Sequence, residues 1–304
     1  MEIIKDPGKH KDEIIACIHR YGFNAENNYH HYMYDQTKSL RNVFLRLGDM
    51  GIMAVRSRRN IWYLFPNGIL APPEKRFELL LRFIDFALLE QKAGKVSFEL
   101  VEDLKKQLFD HFRESEKYKL TRINYVLYWP LFDMQRWDHS MQGKNWKKIR
   151  NIVNRMENNG KKIDVVDARE LPKEKLKKIV DSWIDSRRGE DYVSNEYYYN
   201  LIENGFLGFD HVRSICCNGE PYTITAGWKV PNSSCYYSAI GVTDYSFEKD
   251  MGVYANIDDL RFLKMKGYSL VDFGGSDKGL LSFKKKFMPH SMYRTYTFSI
   301  KLKS

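Results

Sequence analysis

Long apolar runs are missing from this 304-residue chain, and no stretch approaches the roughly 20 apolar residues that a bilayer-crossing helix needs. Cysteine is scarce. Cys17, Cys216, Cys217 and Cys235 form no C-x-x-C pair and no Cys/His spacing suited to a tetrahedral zinc site. The opening residues, MEIIKDPGKHKDEI, lack the apolar core of a secretory signal, so a reducing, cytoplasmic setting is expected. With 43% hydrophobic and 14% aromatic residues, the chain carries ample core material, which argues against disorder.

Negative charge is in deficit. Against 49 Lys and Arg stand 39 Asp and Glu, a net charge of +10 that favours anionic partners without naming one. The excess is concentrated in two places. Residues 144–162 hold seven basic side chains against the single Glu157, and residues 278–304 hold seven against none. Taken by themselves, both clusters are also compatible with solvated helix faces and a charged tail.

The length suggests two domains. Residues 11–20 read as a helix. Three β runs follow at 43–47, 52–56 and 61–64, then a helix at 74–91, a strand at 96–99, a helix near 101–112 and a strand at 122–129. The second half repeats the order. A strand at 162–166 and helices at 172–186 and 195–203 precede β runs at 209–217, 222–229 and 234–240. A helix at 253–266, a strand at 269–272, a short helix at 279–286 and a last strand at 292–300 complete it. This is an α/β (α+β) arrangement with a mixed sheet. The expected boundaries are 1–140 for an N-terminal domain, 141–160 for a connecting basic helix and 161–304 for a C-terminal catalytic domain.

The connecting helix, expected over 141–159, places Trp146, Ile149, Val153 and Met156 on an apolar face, with Lys144, Lys148, Asn151 and Arg155 as a polar stripe. The other informative stretch is 267–287, GYSLVDFGGSDKGLLSFKKKF. A short strand ends in Asp272, the Gly274-Gly275 turn permits close backbone approach, and a helix start offers unpaired N–H groups to an anion. A plain strand-to-helix turn with a charged cap is the alternative at that point.

That stretch resembles the C-terminal signature of the Fem-like aminoacyl transferases, in which a G-(aromatic)-x-x-x-D-(aromatic)-G-G turn precedes a G-x-x-x-F-K element. The run GKNWKKIRNIVNRMENNG is similar to a segment of the phosphatidylglycerol lysyltransferase C-terminal domain. The two segments span about an eighth of the chain. The resemblance implies tandem acetyltransferase-like (GNAT-like) domains that pass an activated acyl group to an amine or hydroxyl.

On that resemblance, Phe283 and Lys284 match the F-K element, and Lys284 is expected to stabilise a developing oxyanion or the donor phosphates, with Lys286 as its nearest rival. Backbone N–H groups at Gly274 or Gly275 would assist, and Asp272 would act as base or orienter for the acceptor. Lys144, Lys148, Asn151 and Arg155 would contact phosphate.

The loop where acetyltransferases cradle coenzyme A reads Lys249-Asp250-Met251-Gly252-Val253-Tyr254. Only its first glycine remains, Tyr254 stands where a small residue is needed, and Glu248 and Asp250 repel anions. An aminoacyl-tRNA donor, with no permanently bound cofactor, is therefore the leading expectation. Acetyl-CoA or another acyl-CoA is the alternative, and a non-catalytic RNA- or membrane-surface-binding module is a third. The acceptor is expected to be an anionic small molecule, glycan, peptide or lipid precursor. Its identity and the oligomeric state are not written in the sequence.

Weaker signals complete the reading. His30-His31 is expected at the surface, because neighbours on a regular element cannot face one site. Asn24, Asn27, Asn28, Tyr29, Tyr32 and Tyr34 serve as caps and packing aromatics or line an acceptor pocket. Trp62, Tyr63 and Phe65 belong to the core or to a groove. Strand alternation should bury only one of Cys216 and Cys217.

Overall fold

The computed structural model describes residues 1–158, 160, 162–187 and 195–303. In chain order the first half holds β1 (Glu2–Ile4), α1 (Lys11–Tyr21), α2 (Tyr29–Tyr34), β2 (Leu40–Leu47), β3 (Met50–Ser57), β4 (Ile61–Leu70), α3 (Arg76–Asp85), β5 (Lys95–Val101), α4 (Glu102–Phe112), β6 (Tyr118–Leu120) and β7 (Tyr125–Asp133). The second half holds α5 (Lys147–Glu157), β8 (Ile163–Asp167), α6 (Lys173–Ser186), α7 (Glu196–Glu203), β9 (His211–Cys217), β10 (Glu220–Pro221), β11 (Thr223–Lys229), β12 (Cys235–Thr243), α8 (Met251–Met265), β13 (Leu270–Asp272), α9 (Lys278–Lys284) and β14 (Ser291–Leu302).

All strands join one mixed sheet in the order β1-β2-β3-β4-β5-β14-β7-β13-β12-β11-β9-β10, with β6 added to β14 and β8 to β9. The last strand of the chain therefore lies in the middle. β14 pairs antiparallel with β5 on one side and β7 on the other, and β7 continues to β13. Among the described residues two strand pairs are parallel, β4 with β5 and β12 with β13.

Both faces of the sheet are covered, which is why its strands are apolar on both sides rather than alternating. Val43 and Leu45 of β2 join the cluster built on Leu80 and Phe83 of α3, whereas Phe44 between them joins Ile14 and Ile18 of α1. In the second half, Tyr236 and Val271 pack with Leu260 of α8, and Tyr237 packs with Ile179 of α6 and Leu201 of α7. The same cover buries both Cys216 and Cys217, against the expectation of one.

The connecting helix is shorter than expected. Met141 and Gly143 adopt left-handed backbone angles, φ 53° and 85°, and Arg150 Nη1 holds their carbonyls at 2.5 and 3.3 Å. The helix starts only at Lys147, so Lys144 sits in the preceding turn and not on its stripe. The expected end at Asn159 falls outside the described residues.

Candidate functional site

The strand β13 is three residues long, and its register against β12 runs Cys235 to Leu270, Tyr236 to Val271 and Tyr237 to Asp272. There the two strands part. Asp272 is buried at the point of separation, 3% exposed. Its Oδ1 accepts the Gly274 N–H at 2.8 Å and its Oδ2 accepts the Tyr293 hydroxyl at 2.8 Å. Gly274 is required by its backbone, φ +74°, and an added Cβ would stand 3.3 Å from the Tyr237 ring.

Lys284, in the last turn of α9, folds back over this turn. Its ammonium donates to the carbonyls of Phe273 and Gly274, the latter at 3.1 Å. Burial pushes the Asp272 carboxyl up to about 6, offset in part by the Gly274 and Tyr293 hydrogen bonds and by Lys284. Burial also pulls the Lys284 ammonium down to about 8, with Asp272 and Asp277 opposing. Two groups of opposite charge thus titrate on either side of neutrality within one buried turn.

The start of α9 is not the anion site expected from the sequence. Asp277 caps it, accepting the Leu280 N–H at 2.7 Å, so its own carboxylate occupies that position. The Gly274 N–H is likewise taken by Asp272. Gly275 packs against Leu127 and Trp129, where a Cβ would approach within 3.0 Å. Phe283 packs edge-on to Phe287, while Lys286 is exposed and lies over the Phe283 ring. Lys284 is therefore the cation facing the turn.

Lys148 and Asn151 are exposed on α5, and Lys144 is exposed in the turn before it. Arg155 is engaged elsewhere. Its guanidinium meets Asp250 and lies 3.5 Å from Glu248, the two carboxylates before α8. At the start of α8 several N–H groups are already engaged. The Met251 N–H donates to the Glu248 carbonyl, those of Val253 and Tyr254 donate to the Asp250 carbonyl, and the Tyr245 hydroxyl lies 2.7 Å from where a Gly252 Cβ would stand. Tyr254, expected to obstruct this loop, is instead buried in the core, because two residues along a helix turn the side chain to the opposite side.

Beside this turn lies a cluster that the sequence reading missed. Glu26 Oε1 accepts the Tyr237 hydroxyl at 2.8 Å, and its Oε2 meets His31 Nε2. His31 Nδ1 in turn lies 2.8 Å from the Tyr197 hydroxyl. The His31 side chain is 14% exposed, against the surface position expected for it. Adjacent His30 turns away to Tyr29 and Tyr34, as the rotation of about 100° between neighbours on a helix demands. Asn28 caps α2 through the N–H groups of His30 and His31, and Tyr29, Tyr32 and Tyr34 are buried. The polar-aromatic composition of 24–34 was the available signal, but Glu26 and Tyr237 are 211 residues apart.

Trp62 and Phe65 are core residues, and Phe65 together with Tyr63 also lines a cavity of about 410 Å³ on the first half of the sheet. Among the described residues, no three His, Cys, Asp or Glu side chains gather as a metal ion would require. No described helix is long and apolar enough to cross a membrane.

Similarity to known proteins follows the same lines. L-PGS from Bacillus licheniformis is superposable with a TM-score of 0.68 at 17% identity, covering 97% of this chain and 91% of that one. FemX gives a TM-score of 0.62 at 11% identity over 98% and 97% of the two chains. A tandem GNAT protein from the clavulanic acid biosynthesis pathway gives 0.57 at 10% identity over 99% and 98%. No curated protein matches the sequence. The family described as phosphatidylglycerol lysyltransferase, C-terminal, matches residues 32–230, about two thirds of the chain. With its mixed sheet, repeated element order and Fem-like turn, this chain belongs to that family, on a tandem acetyltransferase-like fold of the acyltransferase type.

Proposed function

We propose that the protein transfers an aminoacyl group from aminoacyl-tRNA to an amine or hydroxyl acceptor, with the reaction at the 272–284 turn. The observation that carries this reading is the inward-folded Lys284 ammonium beside Asp272, at the parting of β12 and β13; the engaged Met251 and Val253 N–H groups at the start of α8 support a donor other than coenzyme A. The acceptor nitrogen or oxygen attacks the ester carbonyl of the donor, and a new amide or ester bond forms. The ester C–O bond then breaks, and the ribose hydroxyl leaves with the proton the nucleophile gives up. Lys284 stabilises the oxyanion, with the partly buried Gly275 close by. Asp272 orients Lys284 and the turn, because its own oxygens are occupied and buried.

Lys144, Lys148 and Asn151 are the proposed contacts to tRNA phosphates, with Arg155 anchoring α5 to the α8 loop. The family name, which speaks of lysyl transfer, and the likeness to FemX support the choice of donor. The test is a parallel assay with tRNA charged with a labelled amino acid and with labelled acetyl-CoA. Ribonuclease-sensitive transfer that Lys284→Ala abolishes supports the reading. Transfer from acetyl-CoA alone replaces it with an acyl-CoA-dependent enzyme.

A further inference from the structure

The residues of β14 alternate between faces, so Tyr293, Thr295, Thr297 and Ser299 form one row while Phe298 and Ile300 enter the core beneath α3 and α4. This row begins at the candidate site, where Tyr293 bonds Asp272 and stacks on Trp129 with ring centroids 5.4 Å apart. One step on, the Thr295 hydroxyl accepts from Trp129 Nε1 at 2.9 Å and donates to Glu99 at 2.6 Å. Across the pairing, Thr297 lies opposite Glu99 and Ser299 opposite Ser97, whose hydroxyls meet at 2.8 Å.

Glu99, Ser97, Thr297 and Ser299 all line the cavity of about 410 Å³, together with Tyr63 and Phe65. The cavity occupies the place where β4 and β5 part, since their parallel pairing ends at Tyr63 and Ser97. A single strand face therefore leads from Asp272 into a second concavity.

Its lining has a definite chemistry. Hydroxyl groups of Ser97, Thr297 and Ser299 offer both donors and acceptors, and Tyr63 and Phe65 supply apolar faces. Glu99 spends Oε1 on Thr295, and no described residue bonds Oε2. A ligand donor satisfies that oxygen, and an ammonium does so with charge assistance.

We propose that this cavity is the acceptor pocket, and that it takes a small hydroxyl-bearing primary amine whose ammonium is held by Glu99 and whose hydroxyl, which keeps its lone pairs, is the group that accepts the acyl. As the acceptor site it rests on the transferase reading, but the binding itself needs no donor and is measured without one. The probe is glucosamine against glucose, which differ by an amino group in place of a hydroxyl, followed by calorimetry or ligand-detected NMR on the full chain.

The expected result is that glucosamine binds more tightly than glucose, and that Glu99→Gln weakens glucosamine about tenfold or more while leaving glucose unchanged. Thr297→Trp, which fills the cavity and keeps Glu99, should abolish both. Lys284→Ala should keep glucosamine binding even where transfer is lost, so failure of the pocket and failure of the transferase reading are distinguishable. Equal binding of the two sugars, no binding of glucosamine, or glucosamine affinity indifferent to both pocket variants overturns the proposal.

Discussion

Parallel strands part at two places in this sheet, after Tyr63 and Ser97 in the first half and after Tyr237 and Asp272 in the second. A tyrosine occupies the same register position at both. In the first half the opening is a cavity lined by hydroxyls and Glu99, and in the second the Tyr237 ring borders Gly274 while the Lys284 ammonium folds over the turn. Repetition of a backbone geometry thus supplies two clefts, and the side chain at the last paired position decides the chemistry of each. Serine leaves room for a ligand, whereas aspartate draws in a glycine amide, a tyrosine hydroxyl and a lysine.

The sharpest way to break this comparison is to remove one lysine from each half. Lys284→Ala should lower transfer by about 10²–10³-fold, the usual scale for losing a group that stabilises an oxyanion. Lys95→Ala, in the lining of the proposed acceptor pocket, should shift the acceptor KM and change kcat by no more than about twofold. The reverse outcome in single-turnover assays moves the chemistry to the first half.

A smaller effect concerns pH. On the proposed mechanism the Asp272 carboxylate must be ionised and the Lys284 ammonium charged, so the rate should rise as pH passes about 6 and fall as it passes about 8. Asp272→Asn should lower the rate about tenfold and erase the acid limb alone. An acid limb that persists in this variant removes Asp272 from the mechanism.

Next in size is a backbone test. Gly274→Ala forces a Cβ into the left-handed region, at a cost of about 1–2 kcal/mol read as a lowered Tm. Gly94→Ala, just before β5 in the first half, meets nothing within 4 Å and should be neutral or slightly stabilising. Equal Tm shifts would show that the second turn is no more constrained than the first.

The smallest expected effect lies at the protein surface. Lys144→Ala and Lys148→Ala should each reduce the salt dependence of tRNA binding by about one counterion and leave kcat on bound donor unchanged. Unaltered salt slopes would remove the basic segment from the donor site.

Much of this architecture was legible beforehand. Periodicity placed most of the helices and strands, because a helix or strand that must bury one side advertises it locally. The turn after Asp272 was legible because Gly274 answers a backbone demand, whereas Lys284 was singled out by the resemblance and not by any local pattern. Short β1 and β6 were not, because three residues carry no period. Glu26 was overlooked and His31 misplaced because their partners come from α7 and β12, far along the chain. The α9 start was misread because a cap and an anion site share one sequence pattern until the Asp277 side chain is seen to occupy it.

By itself, then, the order of residues determined the elements, their repeated succession and the local chemistry of the glycine turn, since all of these depend on contacts between near neighbours. Only the tertiary structure decided that β14 returns to the centre of the sheet. That return sets Tyr293 on Asp272 and Thr295 on Glu99, contacts spanning 21 and 196 residues that local sequence does not encode.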